Sequence, residues 1–101
     1  MKIQTQSVHF KADDSLLLLI EERLQKLELY FDQIIRATVT LRLENTGQIQ
    51  DKLVEVKLSV PNDQLIAKVS SKKFEVALDD VIEALRKQLL RYKEKNQSKR
   101  R

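Results

Sequence analysis

Eight basic side chains, Arg86, Lys87, Arg91, Lys93, Lys95, Lys99, Arg100 and Arg101, fall in the last sixteen residues against a single acid, Glu94. That segment carries a net charge of +7 in a chain whose total is +4, so residues 1–85 sum to −3. Charge confined to one segment points to a polyanionic partner. The chemistry on offer is capture of phosphates by ammonium and guanidinium groups, with no bond made or broken. Groups for covalent work are scarce. His9 is the only histidine and cysteine is absent, which leaves a nucleophile–base pair little to draw on and excludes disulfides and thiolate metal sites. The acidic pairs Asp13/Asp14, Glu21/Glu22 and Asp79/Asp80 are neighbours in sequence, so on a helix the two members of each diverge by about 100°. They read as capping and solvating residues. A metal site built on Asp79, Asp80 and Glu83 would have no histidine to support it. The expectation is a binding protein and not an enzyme, with no cofactor, no metal and no small-molecule substrate.

The first half of the basic segment continues a periodic helix, so some of its cations are displayed in fixed positions. Phe74, Leu78, Val81, Leu85, Leu89 and Tyr92 recur every three or four residues and form a narrow apolar seam. Ser71 is the expected N-cap. At 100° per residue, Lys73, Asp80, Ala84, Lys87, Arg91 and Lys95 run along one flank of this seam, and Arg86 and Lys93 lie on the other. Glu75, Asp79, Asp80 and Glu83 gather in the first half. Acids early and bases late suit the helix dipole and by themselves need no ligand. The dipole acts only within the last turn, however, and Lys95, Lys99, Arg100 and Arg101 carry the charge beyond what a helix end can use. Nucleic acid is the polyanion that this pattern favours.

An earlier helix is expected from Asp13, as N-cap, to about Phe31. Leu16, Leu17, Ile20, Leu24, Leu27 and Phe31 share its inner face, while Glu21, Glu22, Arg23, Gln25, Lys26 and Glu28 fill the other. Leu18 and Leu19 make its first turns more apolar than one buried face requires. They suit packing under a loop or contact with a partner.

Four segments alternate with a period of two. Residues 1–10 read as a strand with Ile3 on one face and Lys2, Gln4 and Gln6 on the other; the alternation slips near Ser7, where a bulge or strand end is expected. Ile35, Ala37, Val39, Leu41 and Leu43 alternate with Arg36, Thr38, Thr40, Arg42 and Glu44. A polar loop, Asn45-Thr46-Gly47-Gln48, leads to a run with Val54, Val56, Leu58 and Val60 inward. Pro61-Asn62-Asp63 is a turn, since proline pre-sets the first dihedral and Asn or Asp tolerates the next. Leu65, Ala67 and Val69 then face in. One-sided alternation implies an antiparallel sheet with one face covered. The expected fold is α+β in the order β-α-β-β-β-α, with two helices packed on one face of a four-stranded sheet.

The chain has 101 residues, 42% of them apolar, with one glycine and one proline. That suits a single domain, expected over residues 1–95, of regular elements joined by short turns. Residues 96–101 are expected to be a disordered basic tail. The N-terminus shows no apolar signal segment, and the longest apolar run, Leu16 to Ile20, is too short to span a bilayer. A cytoplasmic protein without membrane contact is the natural reading.

Two segments resemble the ribosome hibernation-promoting factors, also called ribosome-associated inhibitors or ribosomal subunit interface proteins. Lys26-Leu27-Glu28-Leu29-Tyr30-Phe31-Asp32 is similar to the family's K-L-E-x-Y-F-D at the end of helix one. Ala77-Leu78-Asp79 through Gln88-Leu89 to Lys93-Glu94-Lys95 is similar to its A-I-D…L-x-x-Q-L-x-K-x-K-x-K helix. The element order is also the family's, and the resemblance covers essentially the whole chain as a short-form member. It implies binding to the small ribosomal subunit and its rRNA in the mRNA and tRNA channel, with inhibition of translation and protection of idle ribosomes in starvation and stationary phase. It also implies a monomer when free.

By this resemblance Lys26, Lys87, Arg91, Lys93 and Lys95 match positions where the family carries cations facing rRNA. Ala84 falls where lysine is common, and Arg86 is its compensating cation on the other flank. Lys72 and Lys73 replace an acidic-Met-Tyr stretch and add cations at the start of the helix, Lys73 on the same line as Arg91. Tyr30 and Tyr92 are expected at the edge of the core. Two other readings stand beside this one. A double-stranded-RNA-binding domain also has two helices on one face of a sheet, although it begins with a helix. A protein-interaction regulator of transcription would use Leu18 and Leu19.

Overall fold

The computed structural model describes residues 1–46 and 49–98. The elements are β1 (Lys2–Val8), α1 (Asp14–Tyr30), β2 (Arg36–Thr46), β3 (Ile49–Val60), β4 (Asp63–Ser71) and α2 (Phe74–Ser98). This is the α+β order read from the sequence, with strands side by side as β1-β2-β3-β4. The pairs β2–β3 and β3–β4 are antiparallel, but β1 and β2 run parallel. The expectation of a wholly antiparallel sheet is therefore corrected. Alternation reports which face a residue occupies, whereas strand direction depends on the connection. Here α1 carries the chain back to the end where β1 began, as parallel neighbours require.

Each element has a local cause. Asp13 caps α1, its carboxylate accepting from the Leu16 amide at 2.8 Å. Leu16, Ile20, Leu24 and Leu27 are buried beneath the helix. β1 ends at Val8, and His9 then takes a φ of 65°, which breaks the strand where the alternation slips. The β3–β4 hairpin closes on Pro61 and Asn62, with Val60 paired to Asp63. Asn62 has a φ of 66°, a region that asparagine tolerates better than most residues. The loop expected over residues 45–48 is shorter than anticipated: Asn45 and Thr46 belong to β2, and residues 47–48 lie outside the described residues.

Two further readings are corrected. Ser71 is the last residue of β4, not a cap. The first helical bond of α2 runs from the Ala77 amide to the Lys73 carbonyl at 3.1 Å, so Lys73 holds the cap position. The β-branched and alternating run before it extends the strand to Ser71 at the expense of the helix. At the start of β2, Ile34 is buried at 4% exposure and Ile35 is 58% exposed, the reverse of the expectation for Ile35. The chain enters the pleat only at Arg36, so a period of two does not carry back across the junction. The helix also takes in residues 96–98 of the expected tail, and residues 99–101 lie outside the described residues.

The core is one cluster between sheet and helices. Ala37, Val39, Leu41, Val54, Val56 and Leu58 rise from the sheet to meet Ile20, Leu24, Leu78, Val81, Leu85 and Leu89, all at 1% exposure or less. Aromatic pairs close both ends of α2. Phe74 stacks on Phe10 with centroids 5.3 Å apart, and Tyr92 meets Phe31 edge-on at 5.3 Å. Leu19 packs partly on this core, while Leu18 stays exposed. Such packing gives α2 one rotational setting, because turning it would bury charge and expose the seam.

Candidate nucleic-acid interface

The apolar seam of α2 faces the sheet, so its two flanks look in different directions, and specific contacts identify them. Asp79 pairs with Arg23 of α1 at 3.0 Å, which places the Asp79, Arg86 and Lys93 flank beside α1. Gln88 donates from Nε2 to the Ile66 carbonyl of β4 at 2.9 Å, which places the other flank along the outer edge of β4. Lys87, Arg91 and Lys95 lie toward that edge.

Three side chains of the C-terminal half of α2 donate to backbone carbonyls on three separate elements. Gln88 reaches Ile66 of β4, the Tyr92 hydroxyl reaches Pro61 in the hairpin turn, and Lys93 Nζ reaches Tyr30 at the end of α1, the last at 2.8 Å. Each bond satisfies a carbonyl lying at an edge, a turn or a helix end, where no repeating backbone partner exists. Together they fix the end of α2 against sliding or rotating. The contact at Tyr30 has an added electrostatic role. The last turn of α1 contains no basic residue of its own, and the Lys93 ammonium supplies from outside the cation that the negative end of a helix dipole favours.

The cations predicted from the sequence therefore divide. Lys87, Arg91 and Lys95 are exposed and form no hydrogen bond or ion pair among the described residues. They line one flank at intervals of four residues, about 6 Å along the axis. Arg91 and Lys95 share a recess of about 210 Å³ with Asp63, Leu65, Gln88 and Tyr92. Lys26 is exposed on α1, three residues after Arg23 and four before Tyr30, on the flank toward α2. Lys93 is partly occupied by the Tyr30 carbonyl. Arg86 forms a two-point contact with Glu83, at 2.6 and 3.1 Å. That hydrogen bond holds the Glu83 carboxyl below its ordinary value against the cost of burial, with the charges of Arg86 and Lys87 adding to the effect. It likewise raises Arg86, with the Glu83 charge adding to the effect. Lys73 stands apart: eighteen residues of helix separate it from Arg91, about 27 Å. Ala84 is half-buried and packs on the core.

Two acids of α2 have partners too, Asp79 with Arg23 of α1 and Glu83 with Arg86 one turn on. Among the described residues no group of three histidine or acidic side chains converges on a point that could hold a metal ion. No described helix is long and apolar enough to cross a membrane.

Sequence reasoning missed the anchoring roles of Gln88, Lys93 and Tyr92. Periodicity tells which way a side chain leaves its helix but not which carbonyl waits there. It also treated Tyr30 and Tyr92 alike. Tyr92 is buried at 7% with its ring against Phe31, whereas Tyr30 is 49% exposed. A further hollow of about 570 Å³ opens beside Tyr30, between the ends of the two helices.

Comparison with known proteins agrees over nearly the full length. Residues 3–97 match the family described as sigma 54 modulation protein / S30EA ribosomal protein. A ribosome hibernation promoting factor of Pseudomonas putida is 29% identical over 98 residues, covering 97% of this chain and 92% of that protein. Among solved structures, a ribosomal subunit interface protein from Coxiella burnetii superposes with a TM-score of 0.82 at 21% identity, covering 93% of this chain and 99% of that one. The N-terminal domain of Protein Y from Thermus thermophilus superposes with a TM-score of 0.79 at 22% identity, over 91% and 99%. The two structures share the fold.

Proposed function

Because the chain belongs to the sigma 54 modulation protein / S30EA ribosomal protein family, we propose that it is a ribosome hibernation factor acting without chemistry of its own. It binds the small ribosomal subunit, occupies the channel that mRNA and tRNA use, and holds the ribosome idle and protected. It works in the cytoplasm, where ribosomes are, during stress and stationary phase.

The observation that carries this reading is the row Lys87, Arg91 and Lys95. These three cations are exposed and form no hydrogen bond or ion pair among the described residues, on a helix end that three side-chain–carbonyl bonds hold still. Cations spaced regularly along a fixed helix can match phosphates of folded RNA, because the cost of ordering the backbone that carries them was met when the protein folded. Lys26, Arg86 and Lys93 add positive charge around the end of the α1–α2 pair. Lys73 at the far end of α2 makes a separate contact. Lys99, Arg100 and Arg101 add long-range attraction.

Occupancy of the channel has a direct test. Increasing amounts of the protein are expected to lower tRNA binding to mRNA-programmed small subunits, in proportion to the fraction of subunits bound. Subunits that carry the protein and still take up tRNA normally would overturn the channel placement. Binding to isolated duplex RNA as tight as to subunits would instead favour the double-stranded-RNA reading.

A further inference from the structure

Tyr30 and Phe31 are adjacent in sequence and differ in fate. Phe31 turns in against Tyr92, while Tyr30 leaves half its surface in solvent and is not part of the core cluster. We propose that the Tyr30 ring is a stacking platform for one unpaired base of the bound RNA, and that the hollow beside it receives that base. The proposal rests on the RNA-binding reading above and adds a specific contact to it.

Charge around the ring supports this occupant. Lys26 lies one turn earlier on the same flank of α1, and Lys93 donates to the Tyr30 carbonyl at 2.8 Å. An aromatic face set among cations is the arrangement that single-stranded nucleic acid uses, with the base on the ring and the flanking phosphates on the cations. The hollow itself shares Lys93 with that rim but is otherwise polar, acidic and apolar. Gln33 and Asn96 line it with amides that can both donate and accept, Asp32 adds a carboxylate, and exposed Leu29 gives an apolar wall. Glu28, also on its lining, is paired with the Met1 ammonium at 2.9 Å, and Lys93, which lines it too, has its ammonium on the Tyr30 carbonyl. A carboxylate there repels a phosphate but accepts from the amino groups of a base. Phosphates therefore belong outside the hollow and a base edge inside it. The target must be unpaired, since a base within a duplex does not offer its face to a side chain.

The test is binding of the full chain to purified small ribosomal subunits over a range of salt, for wild type, Tyr30→Phe, Tyr30→Leu and Arg91→Gln, with chemical probing of the rRNA bases. Tyr30→Phe keeps the aromatic face and is expected to bind within about twofold of wild type. Tyr30→Leu keeps apolar volume without the face and is expected to lose roughly five- to a hundredfold in affinity. Its salt slope is expected to stay at the wild-type value, whereas Arg91→Gln lowers the slope by about 1. One rRNA base is expected to be protected by wild type and Tyr30→Phe and to become reactive with Tyr30→Leu. Thermal unfolding is expected to be unchanged in both Tyr30 variants. Wild-type affinity in Tyr30→Leu would overturn the stacking platform and point to an apolar protein contact, while a loss in Arg91→Gln would leave the RNA reading standing. Equal loss in Tyr30→Phe and Tyr30→Leu would also overturn it, since the hydroxyl would then be the contact. Failure of the wild type to bind subunits would overturn both.

Discussion

Lys93 reaches across from α2 and donates from Nζ to the Tyr30 carbonyl at 2.8 Å, closing the end of α1. A residue read from sequence as a free cation for RNA is thus also the electrostatic cap of the other helix. Its value to the protein is expected to show in stability before it shows in binding.

Lys93→Met is therefore expected to cost about 0.5 to 1 kcal/mol, the usual worth of a cation at a helix C-terminus, in urea unfolding at low salt. The loss is expected to shrink in high salt, where an exposed charge is screened. An unchanged unfolding midpoint would mean that the Tyr30 carbonyl is equally well served by water.

Tyr92→Phe removes the hydroxyl that donates to the Pro61 carbonyl but keeps the ring against Phe31. The expected loss is about 1 kcal/mol, or roughly 4–8 °C in unfolding temperature for a domain of this size. Subunit binding is expected to weaken in the same variant, since the end of α2 is then held by two bonds in place of three. Unchanged stability with weakened binding would instead make the hydroxyl a direct RNA contact.

The pH dependence of the Glu83–Arg86 contact has a defined sign. Hydrogen bonding to Arg86 lowers the Glu83 carboxyl below its ordinary value of 4.5. A group depressed on folding contributes stability that is present above the unfolded value and lost as pH falls through the folded one. Wild type is expected to exceed Glu83→Gln slightly in urea midpoint near neutrality, and the difference is expected to vanish once the pH has fallen well below 4.5. A difference that grows with acidity would contradict this pairing.

Much of the architecture was readable from residue spacing. The Phe74–Tyr92 seam, the Asp13 cap and the Pro61–Asn62 turn rest on local physics, and each stands in the structure. What spacing did not reveal depends on non-local partners. The parallel pairing of β1 with β2 is set by the path of α1. The exposure of Ile35 follows from where the chain enters the pleat. At the site, the flank of each cation on α2 was legible, because a helix has fixed geometry. Whether that cation is free was not: Arg86 and Lys93 share their flank, yet one meets Glu83 and the other the end of α1. Tyr30 and Tyr92 diverge for the same reason.

Lys87→Glu combined with Arg91→Glu reverses charge at two exposed positions that form no hydrogen bond or ion pair among the described residues. Association with ribosomes is expected to be abolished while the unfolding temperature stays nearly unchanged. A variant that fails to fold would show that these cations support structure.

The central claim is that fixed cations on α2 hold the protein on the ribosome, and sedimentation with ribosomes through a sucrose gradient at two salt concentrations tests it most directly. At low salt the protein is predicted to travel with the small subunit. If about five cations meet phosphates, a fourfold rise in salt is predicted to weaken binding on the order of a few hundredfold and return the protein to the top of the gradient. Protein that stays at the top at low salt, with intact ribosomes present, would contradict the account, as would association that salt leaves unchanged.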